Sequence, residues 1–256
     1  SGLSPGVGLL AARLIRLDAA VYLLIVAAGA LLWWLSRTHV AELPVWAPWD
    51  FSWVEFLAGW LTLFWYVRGV LRLAPQDRPS PWRSLAFIAG LLGIYVVLET
   101  RYEYLAEHQF FFNRLQHVTM HHLGPMLLAL AWPGAALRAG MPARIRRVAE
   151  HPILAGIVNV LQQPALAAFL FVGLIFFWLV PSIHFHAMID PRLYAVMNWS
   201  MVIDGILFWA LVLDPRPSPA ARASFGARAA LTIAVMFPQI IGGAMIVFNP
   251  HNLYGF

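Results

Sequence analysis

The sequence predicts an all-α, polytopic membrane helix bundle with seven transmembrane helices, the N-terminus cytoplasmic and the C-terminus periplasmic. Three observations predict it. The 256 residues are 61% apolar with a mean hydropathy of +0.71. Only 11% are charged, where a soluble domain carries about 25%. The seventeen basic residues, all arginine, sit in short segments between long uncharged runs.

A span needs about 20 mostly apolar residues to cross about 30 Å of hydrocarbon. Seven stretches qualify: 19 to 35, 51 to 71, 84 to 104, 116 to 137, 153 to 180, 193 to 213 and 228 to 248. The first follows Arg13 and Arg16 without a small-residue cleavage site and reads as a retained span. Turn-rich separators divide the rest: Ala47-Pro48-Trp49-Asp50, residues 75 to 81, Gly140-Met141-Pro142, Pro181-Ser182 and residues 214 to 219. The third stretch has a short apolar run, Leu85 to Leu98, and is expected to continue as helix into a polar outer turn. No repeat or soluble linker interrupts the chain, so residues 1–256 read as a single transmembrane domain.

Arginine sets the orientation, because cytoplasmic loops hold an excess of positive residues. Thirteen arginines fall on one set of alternate segments and four on the other, which puts the N-terminus inside and the C-terminus outside. The same distribution explains a sequence pI near 10.1 without nucleic acid as a partner. The lipid bilayer is the partner it does imply. Cysteine is absent, which removes disulfides, thiolate metal sites and thiolate nucleophiles.

Eight of the nine histidines then fall on the exported side, with His151 the exception. The densest cluster is Gln116-His117-Val118-Thr119-Met120-His121-His122-Leu123-Gly124-Pro125-Met126. His117 and His121, four apart, share a helix face with Met120 beside them, while His122 is turned about 100° toward another neighbour. Pro125 has no N–H for the carbonyl of His121, so a kink is expected at this turn. A second cluster, His184-Phe185-His186, reads as an extended external segment whose two imidazoles share a side and close over the site. In the sixth helix Met197, Met201 and Asp204 lie on one face, and a carboxylate within a span is a functional candidate by default. The run Glu99, Arg101, Glu103, Glu107, His108 reads as a solvated helix end, and Gln162-Gln163-Pro164 as a kink.

Imidazole with thioether and few carboxylates suits copper, above all Cu(I). Zinc is the neighbouring choice, and sparse oxygen donors argue against magnesium and calcium. No nucleophile elbow, phosphate loop or paired-carboxylate site is present, so a non-enzymatic role is expected.

These residues resemble the CtaG family of caa3-type cytochrome c oxidase assembly proteins. The likeness lies in His117-x-x-x-His121 followed by the apolar run Leu127 to Gly134, in His151-Pro152, and in Gly205-Ile206-Leu207-Phe208-Trp209 through Asp214-Pro215. Where the family often carries histidine in the sixth helix, this chain has Met197-Asn198-Trp199-Ser200-Met201. The resemblance implies a bacterial inner-membrane protein that supplies or inserts copper during maturation of a haem-copper oxidase. Its partner is then an oxidase subunit or a periplasmic copper carrier, and a homodimer is compatible with the sequence. A copper transporter would use the same donors but needs a relay to the cytoplasm, for which only Asp204 and Met236 qualify. A membrane di-iron oxygenase needs several histidine boxes on the cytoplasmic face, and this chain has one, on the opposite face. A bis-histidine haem would need an imidazole on a second span.

Overall fold

In the computed structural model, residues 5–217 and 220–251 are described, with side chains from residue 17 onward. The described residues are helical throughout and include no strand. The side chains of Arg13 and Arg16, on which the cytoplasmic reading of the N-terminus rests, and the tail 252–256 lie outside the described part.

Among the described residues five helices are long and apolar enough to cross a membrane: Leu17–Thr38 within α1 (Pro5–Thr38), α2 (Trp53–Arg72), α3 (Pro81–Glu99), α12 (Pro191–Val212) and α13 (Phe225–Val247). The pair α9 (Pro152–Leu161) and α10 (Pro164–Leu179) makes a sixth only as a broken span. The fifth predicted stretch is therefore not one straight helix. It bends by 76° at Gln162-Gln163, where Pro164 opens a new helix and the Gln162 amide donates to the carbonyl of Leu207 at 2.9 Å. The fourth stretch is an unbroken helical path of three pieces: α5 (Phe110–His117), a π turn (Val118–Leu123) and α6 (Gly124–Ala131). It stops short of residue 137, because Trp132 adopts φ 48° before α7 (Gly134–Gly140) begins. The third stretch ends at Glu99 instead of running on. Thr100 caps a separate short helix, α4 (Arg101–His108), by accepting from the Tyr102 N–H.

Lipid exposure follows packing. Helices α1 and α13 bury little of themselves and expose Leu23, Leu24, Phe237 and Ile240, as chains facing hydrocarbon do. The better-buried α12 packs against α10, α6, the π turn and α11 (Pro181–Ile189). Polar groups gather at the two ends. At one end, the arginine end, Arg68 and Arg72 pair with Asp18, Arg68 reaches the Gly140 carbonyl at 2.6 Å, and Arg216 lies over the Trp132 ring at 5.5 Å. There α2 and α7 touch backbone to backbone: a Cβ on Gly69 would stand 1.7 Å from the carbonyl oxygen of Ala136, so only glycine fits. The intervening α8 (Ala143–Ala149) adds three exposed arginines. At the other end, the histidine end, Arg101 N donates to the Ala47 carbonyl at 3.1 Å, and α4, α5, α11 and the start of α12 close over the bundle.

Candidate functional site

The site is built where the fourth helical path meets α12. Pro125 has no N–H for the His121 carbonyl, and the backbone answers with one wide turn rather than a bend, the Gly124 N–H reaching back to Thr119 O. The freed carbonyl is covered by α12 at Gly205, where a Cβ would stand 2.4 Å from His121 O. Glycine at 205 is what lets α12 come close enough to present its polar face. That face carries Met197, Met201 and Asp204, as the spacing predicts, all buried.

His121 is fully buried and donates Nε2–H to Asp204 Oδ2 at 3.0 Å. The opposite ring nitrogen, Nδ1, thereby keeps its lone pair, and it has no hydrogen-bond partner. Its ring stacks on Phe171 with centroids 4.2 Å apart, which fixes the plane. One turn outward, His117 is 6% exposed and neither ring nitrogen has a hydrogen-bond partner. His122 stands edge-on to His121 and Phe171 and meets Gln239 of α13. His117, His121, His122 and Met201 line one cleft of about 300 Å³ together with Arg114 of α5 and Gln239 of α13, and its remaining walls are apolar. Met120 and Met197 lie behind it with Met201, all three inaccessible, in a cluster with Leu98 and Trp178. Deeper support comes from Gln116, whose amide donates to the Val97 carbonyl at 2.8 Å and whose carbonyl accepts from the Tyr194 hydroxyl at 3.0 Å.

The second histidine cluster is arranged differently from the extended segment expected. Pro181 opens α11, and two residues along a helix point about 200° apart, so His184 turns inward and His186 outward. His186 is exposed and donates Nδ1–H to Ser182 O at 2.6 Å. His184 does not reach the inner cleft. It lines a separate cleft of about 270 Å³ with Glu107, His108, Phe110 and Met188. Burial, helped by the nearby Arg114 charge, pulls its imidazole down to about 4, so the ring is neutral at physiological pH. Burial pushes the Glu107 carboxyl up from its ordinary range. The single pocket expected from sequence is thus two, with Phe110 lining both.

Nor is the acidic run simply a solvated end. Glu99 is fully buried and accepts from Ser52 N at 3.3 Å, and Glu55 of α2 accepts from the Trp199 indole at 2.8 Å. Gln239, Phe171 and Gly205 were not picked out from the sequence as site residues. A lone glutamine after Pro238 in an apolar span was the available signal for the first. The other two depend on which helices meet.

Among the described residues no three His, Asp or Glu side chains converge so as to hold a metal by themselves. Met201 adds a thioether to the imidazoles of the inner cleft. The donors fit a soft ion: imidazole nitrogens without partners, a buried sulfur, and one carboxylate already engaged in orienting its histidine.

No curated protein and no solved structure matches the chain. The sequence model of the cytochrome c oxidase caa3 assembly factor family matches residues 64–256, a stretch that contains every helix contributing to both clefts. The chain belongs to the cytochrome c oxidase caa3 assembly factor (CtaG) family.

Proposed function

We propose that this protein is a non-enzymatic copper carrier of the bacterial inner membrane, which supplies Cu(I) to a haem-copper oxidase during its assembly. The cargo site is the inner cleft, with His117, His121 and Met201 as donors, Asp204 orienting His121, and His122 at the rim. Family membership supports the oxidase as the destination. The observation that carries copper is the His117 ring, buried with both nitrogens lacking a hydrogen-bond partner. Leaving a buried polar group unpaired costs about 1–3 kcal/mol, and a chain keeps such a group when something else satisfies it. A donor set of imidazole nitrogen and thioether sulfur favours a soft monovalent ion over a hard divalent one.

In this reading the path from Phe110 to Ala131 is a span in spite of its π turn, and the broken α9 and α10 pair is another. That makes seven, with the histidine end facing the periplasm. The receiver is an oxidase subunit or a periplasmic carrier that meets the protein on that face.

The test is metal analysis of the detergent-purified chain together with oxidase loading in cells that lack it. Expected are about one copper per chain, loss of it in His117→Ala and His121→Ala, and a copper-poor oxidase in cells whose cytoplasmic copper is normal. Stoichiometric iron in the purified protein, or a fully loaded oxidase without it, overturns the reading.

A further inference from the structure

We propose that the cleft between α4, α5 and α11 is a second, outer station for the same soft cation, reached before the His117 cleft and divided from it by Phe110 and Arg114. This rests on the copper reading above and adds to it the route of entry.

The outer cleft holds the donors such a station needs. His184 supplies an imidazole and Met188 a thioether, while Glu107 and His108 stand on the facing helix. His108 donates Nδ1–H to the Tyr104 carbonyl at 2.8 Å, which leaves the lone pair on Nε2. Met188 is only partly buried, and α4 and α11 lie at the end where the loops close over the bundle. An ion arriving from that side meets this cleft first.

The partition is one side chain thick. Phe110 lines both clefts, and its ring packs at 5.7 Å against His184 on the outer side. The Arg114 guanidinium covers the same ring at 5.0 Å and lines the inner cleft. A fixed positive charge there repels a cation, so passage requires Arg114 to move. The structure links that movement to the outer donors. Arg114 donates to Asn113 Oδ1, and Asn113 Nδ2 donates to Met188 Sδ at 3.7 Å. A cation that takes electron density from the Met188 sulfur weakens the bond holding Asn113, and Asn113 is one of the groups that hold Arg114. Loading the outer station therefore loosens the partition. Transfer is ligand substitution alone: bonds to His184 and Met188 break as bonds to His117 and Met201 form, and the ion keeps its oxidation state.

The experiment is anaerobic stopped-flow transfer of Cu(I) from a chromophoric bicinchoninate complex to the full chain in detergent. Met188→Leu, which conserves volume, and His184→Gln are each expected to slow loading by about tenfold or more. The final occupancy of the His117 cleft should remain that of wild type. Arg114→Gln is expected to load faster than wild type, and with Arg114→Gln in place Met188→Leu should slow loading less. Wild-type rates in both Met188→Leu and His184→Gln, at wild-type occupancy, overturn the outer station and leave the inner site standing. A wild-type chain that takes no Cu(I) from the complex overturns the copper reading, and this inference with it.

Discussion

His117 is buried with no hydrogen-bond partner on either ring nitrogen, a cost that the proposed copper would offset. Replacing it with phenylalanine removes two buried, unpartnered nitrogens, so His117→Phe is expected to abolish copper binding while raising the apo-protein Tm in detergent. A lower Tm would mean that the ring is structural. Asp204→Asn keeps the shape but weakens the hold on Nε2–H of His121, and a loss of about 10–100-fold in copper affinity is expected by competition titration. Met201→Leu should lower affinity with a stability change under about 1.5 kcal/mol, because volume is conserved. At this scale the sequence was informative where the chemistry is local. The spacing of His117, Met120 and His121, and of Met197, Met201 and Asp204, places each set on one face, and both sets are buried where the two paths meet. It was silent on Gln239 and on the separation of His184 from His117, since both depend on how distant helices dock.

Among the elements, the π turn and α12 form the unit that shapes the cleft. Gly205→Ala puts a Cβ against the His121 carbonyl, and a cost of about 1–3 kcal/mol in stability is expected, together with weaker copper binding. The loop after α12 is tied by Asp214, whose carboxyl accepts from Arg216 at 2.6 to 3.1 Å and is held below its ordinary value by that pairing. A lowered carboxyl pKa stabilises the fold above the ordinary carboxylate range, and the contribution disappears as pH falls through the lowered value. Wild type and Arg216→Gln should therefore differ in Tm at neutral pH and converge in strong acid. Five spans were legible from hydropathy alone. The breaks were less so. Pro125 signalled a disturbance, but whether the backbone bends or widens depends on whether a neighbour covers the released carbonyl of His121, and Gly205 does so from 84 residues away. Pro181 opens α11 and Pro191 opens α12, and the helix between them overrides the alternation seen in His184-Phe185-His186.

For the whole molecule, the separation of arginine from histidine carries the functional argument. Arginines cluster at one end and the imidazole and thioether donors near the other, so the proposed copper exchange depends on which end faces the periplasm. A chain without cysteine makes that arrangement directly measurable: a single cysteine at Ser182 should react with an impermeant maleimide on intact spheroplasts, and one at Ser80 only after lysis. The reverse pattern would place the clefts on the cytoplasmic face and remove the route to a periplasm-facing oxidase subunit. The gathering of arginines toward one end was readable from sequence because each loop carries its own charge, whereas the division of the donors into two chambers was not. The most direct measurement is X-ray absorption at the copper edge on the purified wild-type protein and on His117→Ala. Cu(I) bound by both nitrogen and sulfur is expected in the wild type, with copper lost in the variant; copper bound only through oxygen and nitrogen, or unchanged in His117→Ala, would rule out the His117 cleft as the copper site.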